Sequence, residues 1–462
     1  MPLLRSRIVH YTPLPPARNG IADYAWRMME ALKPRFRQSV VTGTEGGKAP
    51  KGIPVHGQSA AVGHHGLPIY QIGNNWHHSH ELASALVRPG LVLLHDLQLL
   101  YLYESLAPSE EELVRLMRRS NPRLSLRVAE RLQRKQPTSK LPYMLADMLG
   151  DLLDQSHRVV VHSNYARRVI RAHHGEEAAR KVDVIPHFAM TASARDPHEV
   201  RRRYGYRPET KLIVTAGFAT RAKRFDIIAR VVADLASSDT TVQWIHAGRP
   251  DHGDLDLREL VRAYPGLNAH FTASGYLDED ALDDHVAMAD VLLNLRFPSV
   301  GESSGSLARA LAMGACTIVS DTGSYAEIPN GAVVKLSALG GVGELKAALG
   351  ALLASSSLRR SIGDAAARYA TDELNIARYA TRLGRSIGAA RQHALARALS
   401  LPLNKLSRSL PARRQTTWVG PLDGAPQGSK TLAHQTDTSQ RLRYTVNLKG
   451  KQPGTYVGLD SK

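Results

Sequence analysis

The chain is poor in cysteine, in acid and in long apolar runs, and each shortage closes off a class of protein. A single cysteine, Cys316, stands among 462 residues. No intrachain disulfide can form, which fits a reducing compartment. Asp and Glu total 42 against 60 Lys and Arg, a formal charge of +18. Such a balance favours anionic partners: nucleic acid, a phospholipid surface, or nucleotide and phosphate ligands. No stretch approaches the ~20 consecutive apolar residues of a membrane span. Residues 1–16 hold a basic pair but no apolar core of signal-peptide length, so the expected location is cytoplasmic. The loop before Ile21 is not GxGxxG, which removes the dinucleotide fingerprint. What remains is a hydrophobic content of 43% and a length sufficient for two or three domains with sizeable cores.

One segment organises the rest. Asp290-Val291-Leu292-Leu293-Asn294-Leu295 reads as a buried strand, and Gly301-Glu302-Ser303-Ser304-Gly305-Ser306 as a polar loop. Leu307 to Met313 reads as a helix stopped by Gly314, and Cys316 to Ser320 as a second buried strand. In such a unit ligands sit at the strand's carboxyl end beside the helix amino end, where unpaired N–H groups attract anions. Glu302 is the one carboxylate in that loop, suited to reading sugar hydroxyls. Ordinary packing with a capping serine accounts for the same residues.

In the first half, strands are expected at Arg7–Tyr11, Pro68–Ile72, Leu91–Leu94, Arg158–His162 and Val182–Ile185. Gly20 opens a helix after a Pro-bearing loop and allows a close approach to its amino end. Gly73-Asn74-Asn75 ends one strand, and His77, His78, His80 and Glu81 follow it; their spacing fits no zinc pattern, and no metal is expected. His95-Asp96 arrives at a strand end, where it binds substrate, moves a proton, or makes a turn with Asp96 as a cap. Residues 105–155 interrupt the strand rhythm with helices; in one, Leu113, Leu116 and Met117 share a face opposite Arg115, Arg118 and Arg119. That basic face suits an acceptor, a lipid surface or plain solvent.

The second half alternates more regularly, with strands at Lys211–Ala216, Thr241–Ala247, Asn268–Thr272, Asp290–Leu295, Cys316–Ser320 and Ala332–Leu336. Alternation of strand and helix predicts parallel, doubly wound sheets with right-handed crossovers. Gly217 to Asp226 carries Arg221, Lys223 and Arg224 after the first of these strands, a place where cations clamp a diphosphate. Asp254-Leu255-Asp256 and Asp278-Glu279-Asp280 have metal-binding spacing but fall where helices begin, with Asp278 as a cap. The expected layout is an N-terminal domain over 1–188 and a linker over 189–210. A second domain follows over 211–370, a helix over 371–400, and a disordered basic tail over 401–462. That tail holds ten Lys or Arg against three Asp, so much of the positive charge lies outside the folded body.

Taken in order, these residues resemble the bacterial group 1 glycosyltransferases, glycosyltransferase family 4. The resemblance rests on the loop into Gly20-Ile21-Ala22-Asp23-Tyr24, Gly73-Asn74-Asn75 with His78, Pro89-Gly90, His95-Asp96 and Val161-His162-Ser163. It continues through Gly217 to Lys223-Arg224, Gly301-Glu302 to Gly314, and Ser320-Asp321-Thr322-Gly323 with Glu327. It covers roughly residues 7–390. It implies the GT-B fold, two Rossmann-like domains facing across a cleft, and transfer from a nucleotide-sugar with retention, without metal or cofactor. By resemblance, Lys223 binds the diphosphate with Arg221 beside it, Glu302 contacts the donor sugar, and His95 lies on the acceptor side. Gly20, Gly217, Ser303, Ser304, Gly305 and Ser306 line the donor; Asn74, Asn75, His78, Asp96 and His162 line the acceptor side or the cleft. The acceptor is a saccharide or lipid-linked saccharide, with the inner membrane face as a possible partner surface. Two departures stand out: Ala310 occupies the second motif glutamate's place, and Phe218 that of an arginine. They keep a non-catalytic nucleotide-sugar binder and a sugar-nucleotide epimerase open as alternatives; a charge-driven nucleic-acid binder is the remaining one.

Overall fold

A computed structural model of the chain describes residues 6–17, 19–59, 66–134, 142–190, 195–252 and 255–409. Residues Met1–Arg397 form one compact unit; of a second, Ala398–Lys462, only residues up to 409 are described. The first half holds β1 (Arg7–Tyr11), β2 (Arg37–Thr42), β3 (Val55–Gly57), β4 (Leu67–Ile72), β5 (Leu91–Leu94), β6 (Arg158–Val161) and β7 (Val182–Val184). They join in the order β3-β2-β1-β4-β5-β6-β7 with every pairing parallel, Val9 standing opposite both Ser39 and Pro68. β4 and β5 are buried at every position, as central parallel strands covered on both faces require.

The second half holds β8 (Lys211–Ala216), β9 (Val242–Ala247), a short ribbon of β10 (Asp251–His252) and β11 (Leu255–Asp256), β12 (Phe271–Ala273), β13 (Val291–Asn294), β14 (Thr317–Asp321) and β15 (Val334–Ser337). Its six-stranded sheet runs β12-β9-β8-β13-β14-β15, again all parallel. The order reverses at β8, so the crevice between the carboxyl ends of β8 and β13 is the topological switch point.

Several expectations are corrected here. β2 and β3 were not among the expected strands: Arg37-Gln38-Ser39 begins β2 on polar residues, and β3 is a three-residue edge. The strand expected over 268–272 starts as a 3₁₀ turn, Leu267–His270, and becomes β12 only at Phe271. The last helix begins at Ile376, after Asn375 has capped it by accepting from Ala377 N at 2.8 Å, and runs to Ser409. Nine residues assigned to the tail are therefore helical, and 410–462 lie outside the described residues. This helix is not an appendage of the second half. Tyr379, Ala380, Leu383, Ile387 and Ala390 enter one apolar cluster with Tyr24, Met28 and Leu32 of the first half's helix Gly20–Leu32.

Other calls fit the local chemistry. Asp256 and Asp278 cap helices, accepting from Arg258 N and Ala281 N, each at 2.8 Å. The helix Glu110–Ser120 starts at Ser109 and buries Val114 and Met117, while Arg115 pairs with Glu112 and Arg119 with Asp151 at 2.6 Å. The two halves are tied directly. Glu327 caps the helix Asn164–Arg180 across the junction, accepting from Asn164 N at 2.9 Å and Tyr165 N at 2.5 Å, with Arg168 at 3.2 Å.

Candidate functional site

Strand ends from both sheets meet around a cavity of about 580 Å³. From the second sheet it receives Gly217 and Phe218 after β8, Gly248 and Arg249 after β9, Tyr276 to Glu279 after β12, and Ser303, Gly305 and Ser306 after β13. From the first it receives Asn19, Gly20, Asp23, Tyr24, His95 and Asp96. Of the expected residues, Gly20, His95, Asp96, Gly217, Ser303, Gly305 and Ser306 are thus brought together. Lys223, Arg221, Glu302, Ser304, Asn74, Asn75, His78 and His162 do not line the cavity wall.

Lys223 adjoins it. Its Nζ donates to the Ala216 carbonyl at 2.6 Å at the end of β8. Burial, and then the neighbouring Arg296, push its pKa well below the usual lysine value. Gly217 forms the wall in front of it with φ +85°, and a Cβ there would sit 2.9 Å from that ammonium. A side chain at 217 is therefore opposed by both backbone and space. Arg221 belongs to the same 3₁₀ turn and is exposed.

Backbone dominates the next loop. Ser304 caps the helix Gly305–Ala312, accepting from Leu307 N at 3.2 Å, and takes a donor from Asn294 Nδ2 at 3.3 Å. It performs the capping role, while Ser303 and Ser306 face the cavity. Gly305 has only His187 near its missing Cβ, at 3.8 Å, and Gly20 has nothing within 4 Å. Protein packing does not demand glycine at either position; the open space belongs to the cleft. Glu302 is turned back into its own loop: Oε2 accepts from Val300 N at 2.8 Å and Ser299 Oγ at 3.3 Å. Its Oε1 lies 3.0 Å from Arg296 Nε. Ala310 is fully buried with Val286, Leu292 and Ala315, so the place counted for a second glutamate faces the core.

The first half's wall is made of buried neutral rings. His162 Nδ1 lies 3.0 Å from the Ile185 carbonyl, so it donates there and Nε2 accepts. His95 Nδ1, 3.2 Å from that Nε2, then carries the His95 proton. The remaining His95 nitrogen accepts from the Gln71 side-chain amide at 2.6 Å. Both His95 nitrogens are spent inside the protein, which corrects its reading as a proton carrier. Burial and the neighbouring His162, His187 and His78 hold His95 far below the usual histidine pKa. Burial takes His162 and His78 down to about 4 and His187 to about 3. Tyr24 meets His95 edge-on at 4.9 Å.

Asp96 is not a helix cap. It accepts from Asn74 N at 2.8 Å, and burial raises its pKa to about 6, helped by Glu302 and opposed by Arg296. Asn74 and Asn75 are likewise structural: their Oδ1 atoms accept from Leu102 N at 3.0 Å and His77 N at 3.1 Å. His78 donates through Nδ1 to the Gln71 carbonyl at 2.9 Å and accepts from Asn19 Nδ2 at 3.3 Å, which places the loop bearing Gly20.

Sequence reasoning missed the charged part of the wall. Arg309 is buried, pairs with Asp283 and lies 3.6 Å from Glu279 Oε1. Glu279 Oε2 reaches Arg27 across the cleft at 2.7 Å. Asp23 has its pKa raised to about 6, by burial first and by Glu279 second. A lone arginine in the apolar run Leu307-Ala308-Arg309-Ala310-Leu311 was the available signal. A second cavity of about 560 Å³ lies by His162, Ser163, Arg167, Arg168 and Glu327. Among the described residues no cluster of three or more His, Cys, Asp or Glu has a metal-holding arrangement.

Comparisons with known proteins agree with this geometry. Residues 209–355 match the family model described as glycosyl transferases group 1, so the second half carries a group 1 glycosyltransferase domain. No curated protein matches the chain in sequence. Among solved structures, sucrose-phosphate synthase from Thermosynechococcus elongatus is similar with a TM-score of 0.59 at 15% identity, over 85% of this chain and 100% of that one. HepE of Anabaena, in complex with UDP and glucose, gives 0.59 at 13% identity over 83% and 100%. WaaG, a glycosyltransferase involved in lipopolysaccharide biosynthesis, gives 0.56 at 14% identity over 82% and 98%. At such identities the likeness establishes the fold: two Rossmann-like domains facing across a cleft, the GT-B arrangement.

Proposed function

We propose that this chain, which carries a group 1 glycosyltransferase domain, moves a sugar from a nucleotide-sugar to an acceptor hydroxyl in the 580 Å³ cleft. One observation carries the reading: open glycines at two helix starts, Gly20 and Gly305, face a single cavity whose floor at Gly217 rests on the Lys223 ammonium. Backbone N–H groups of Ser303 to Ser306 and the helix dipole receive the diphosphate. Lys223 stabilises the charge that grows on the diphosphate as the sugar bond breaks. The acceptor hydroxyl attacks from the face the diphosphate leaves, and a diphosphate oxygen takes its proton, so configuration is retained. No metal or cofactor enters this scheme. HepE, which has the same fold, is recorded with UDP and UDP-glucose, which supports a nucleotide-sugar donor.

The acceptor in this reading is a saccharide or lipid-linked saccharide, in cell-surface polysaccharide or glycoconjugate synthesis at the cytoplasmic face of a membrane. No helix among the described residues is long and apolar enough to cross a membrane, so association would be peripheral, through the helix bearing Arg115, Arg118 and Arg119. Neutralising those three arginines should then abolish co-sedimentation with anionic vesicles. A thermal-shift screen of nucleotide-sugars tests the donor, since a ligand that prefers the native state raises its melting point. A stabilising nucleotide-sugar that is consumed with an acceptor and in the presence of a chelator supports the scheme. Stabilisation by none of them sinks it.

A second reading has one specific observation behind it. Glu302 is spent on its own loop, and position 310 faces the core, so the chain is a nucleotide-sugar binder without turnover. Tight donor binding with no product from any acceptor, and no isomerised sugar without one, would favour it.

A further inference from the structure

The cleft's loops lie in a row along the carboxyl edge of the second sheet. The turns after β13 and β8 supply Gly305 and Gly217; the turns after β9 and β12 supply Gly248, Arg249, Tyr276 and Glu279. Strands stand ~4.8 Å apart, so β13 to β12 spans roughly 14 Å. That is about the length of a nucleoside diphosphate laid along the edge. With the diphosphate held at the switch point, the nucleoside extends toward Glu279.

Glu279 is well placed for what then lies beside it. Its side chain is 40% exposed and lines the cavity. Its carboxylate sits between two guanidiniums, Arg27 at 2.7 Å and Arg309 at 3.6 Å, and Arg309 is itself fixed by Asp283. A carboxylate accepts two hydroxyl donors side by side, and in wound sheets an acid near the switch point takes the ribose diol. Position 310 cannot do this, being packed against Leu292 and Ala315. Resting on the nucleotide-sugar reading of the cleft, we infer that Glu279 is the residue that accepts from the ribose hydroxyls of the donor.

Calorimetric titration tests this with UDP, GDP, ADP and CDP, each against its 2′,3′-dideoxy counterpart. For the tightest binder the wild-type chain should lose about tenfold or more in affinity when the diol is removed. Glu279→Gln should lose a similar factor with the parent nucleotide and become indifferent to the diol. Arg27→Gln removes the cross-cleft partner and should keep the diol preference, which separates ligand recognition from holding the halves together. Unchanged diol preference in Glu279→Gln, or its loss in Arg27→Gln as well, overturns the assignment. Wild-type binding with no diol preference overturns it too, but leaves the proposed transferase reading standing. Binding of none of the four diphosphates removes both.

Discussion

The two walls of the cleft work by different means. The wall from the second sheet is built of backbone and small residues: Gly217, Gly248, Ser303, Gly305 and Ser306. The wall from the first is built of side chains whose polar atoms are already paired, with His95 bound to Gln71 and His162 and ringed by Tyr24. Backbone N–H groups at a helix start suit an invariant anion such as a diphosphate. Neutral packed rings offer shape, which suits an acceptor chosen by fit. One wall is specialised for charge and the other for contour.

Removing the charge should have the largest effect. Lys223→Ala is expected to lower kcat/KM by about 10²–10³ and to weaken nucleoside diphosphate binding, as deletion of one such donor does elsewhere. Steady-state kinetics and calorimetry check this; near-normal transfer would erase the distinction between the walls.

The ring wall should instead reveal itself in acid. His162 is held neutral in the fold to about pH 4, whereas an unfolded histidine protonates near 6.5. Below 6.5 the unfolded chain therefore binds more protons, and stability falls with pH until about 4. This one site contributes roughly 3 kcal/mol of that loss, and His78 acts in the same direction. Denaturant unfolding of His162→Gln should show a shallower decline across that window. An equally steep one would mean the ring is not held neutral.

Gly217→Ala sharpens the contrast more gently. Its strain at φ +85° and its approach to Lys223 Nζ should cost about 1–3 kcal/mol of stability and weaken diphosphate binding, seen as a lower Tm and a higher Kd. The smallest effect is expected at Arg221, which is exposed and off the cavity wall. Arg221→Ala should change kcat/KM by about threefold or less, because a screened surface charge contributes little.

Most of the fold was legible because its central strands are unbroken apolar runs. Ile69 to Ile72 and Leu91 to Leu94 announce burial on both faces. β2 hid because its first half is Arg37-Gln38-Ser39, and β3 because three edge residues carry no period. The site divided along the same line as its walls. Gly217, Gly305 and Ser303 were readable, because a glycine or serine at a strand end acts through backbone whose place the topology fixes. Glu302 and His95 were named by residue type, yet type does not tell direction. One carboxylate folds back onto Val300 N, and one imidazole spends both nitrogens inward. Arg309, Glu279 and Arg27 were missed because their pairing joins segments far apart in the chain.

The measurement that bears most directly on the two-wall account is the position of a nucleoside diphosphate in a crystal of the full chain. The account predicts the diphosphate between Gly217 and the amino end of the helix Gly305–Ala312, with Lys223 behind it. A diphosphate held instead by Arg167 and Arg168 in the second cavity, with the first left empty, would contradict it.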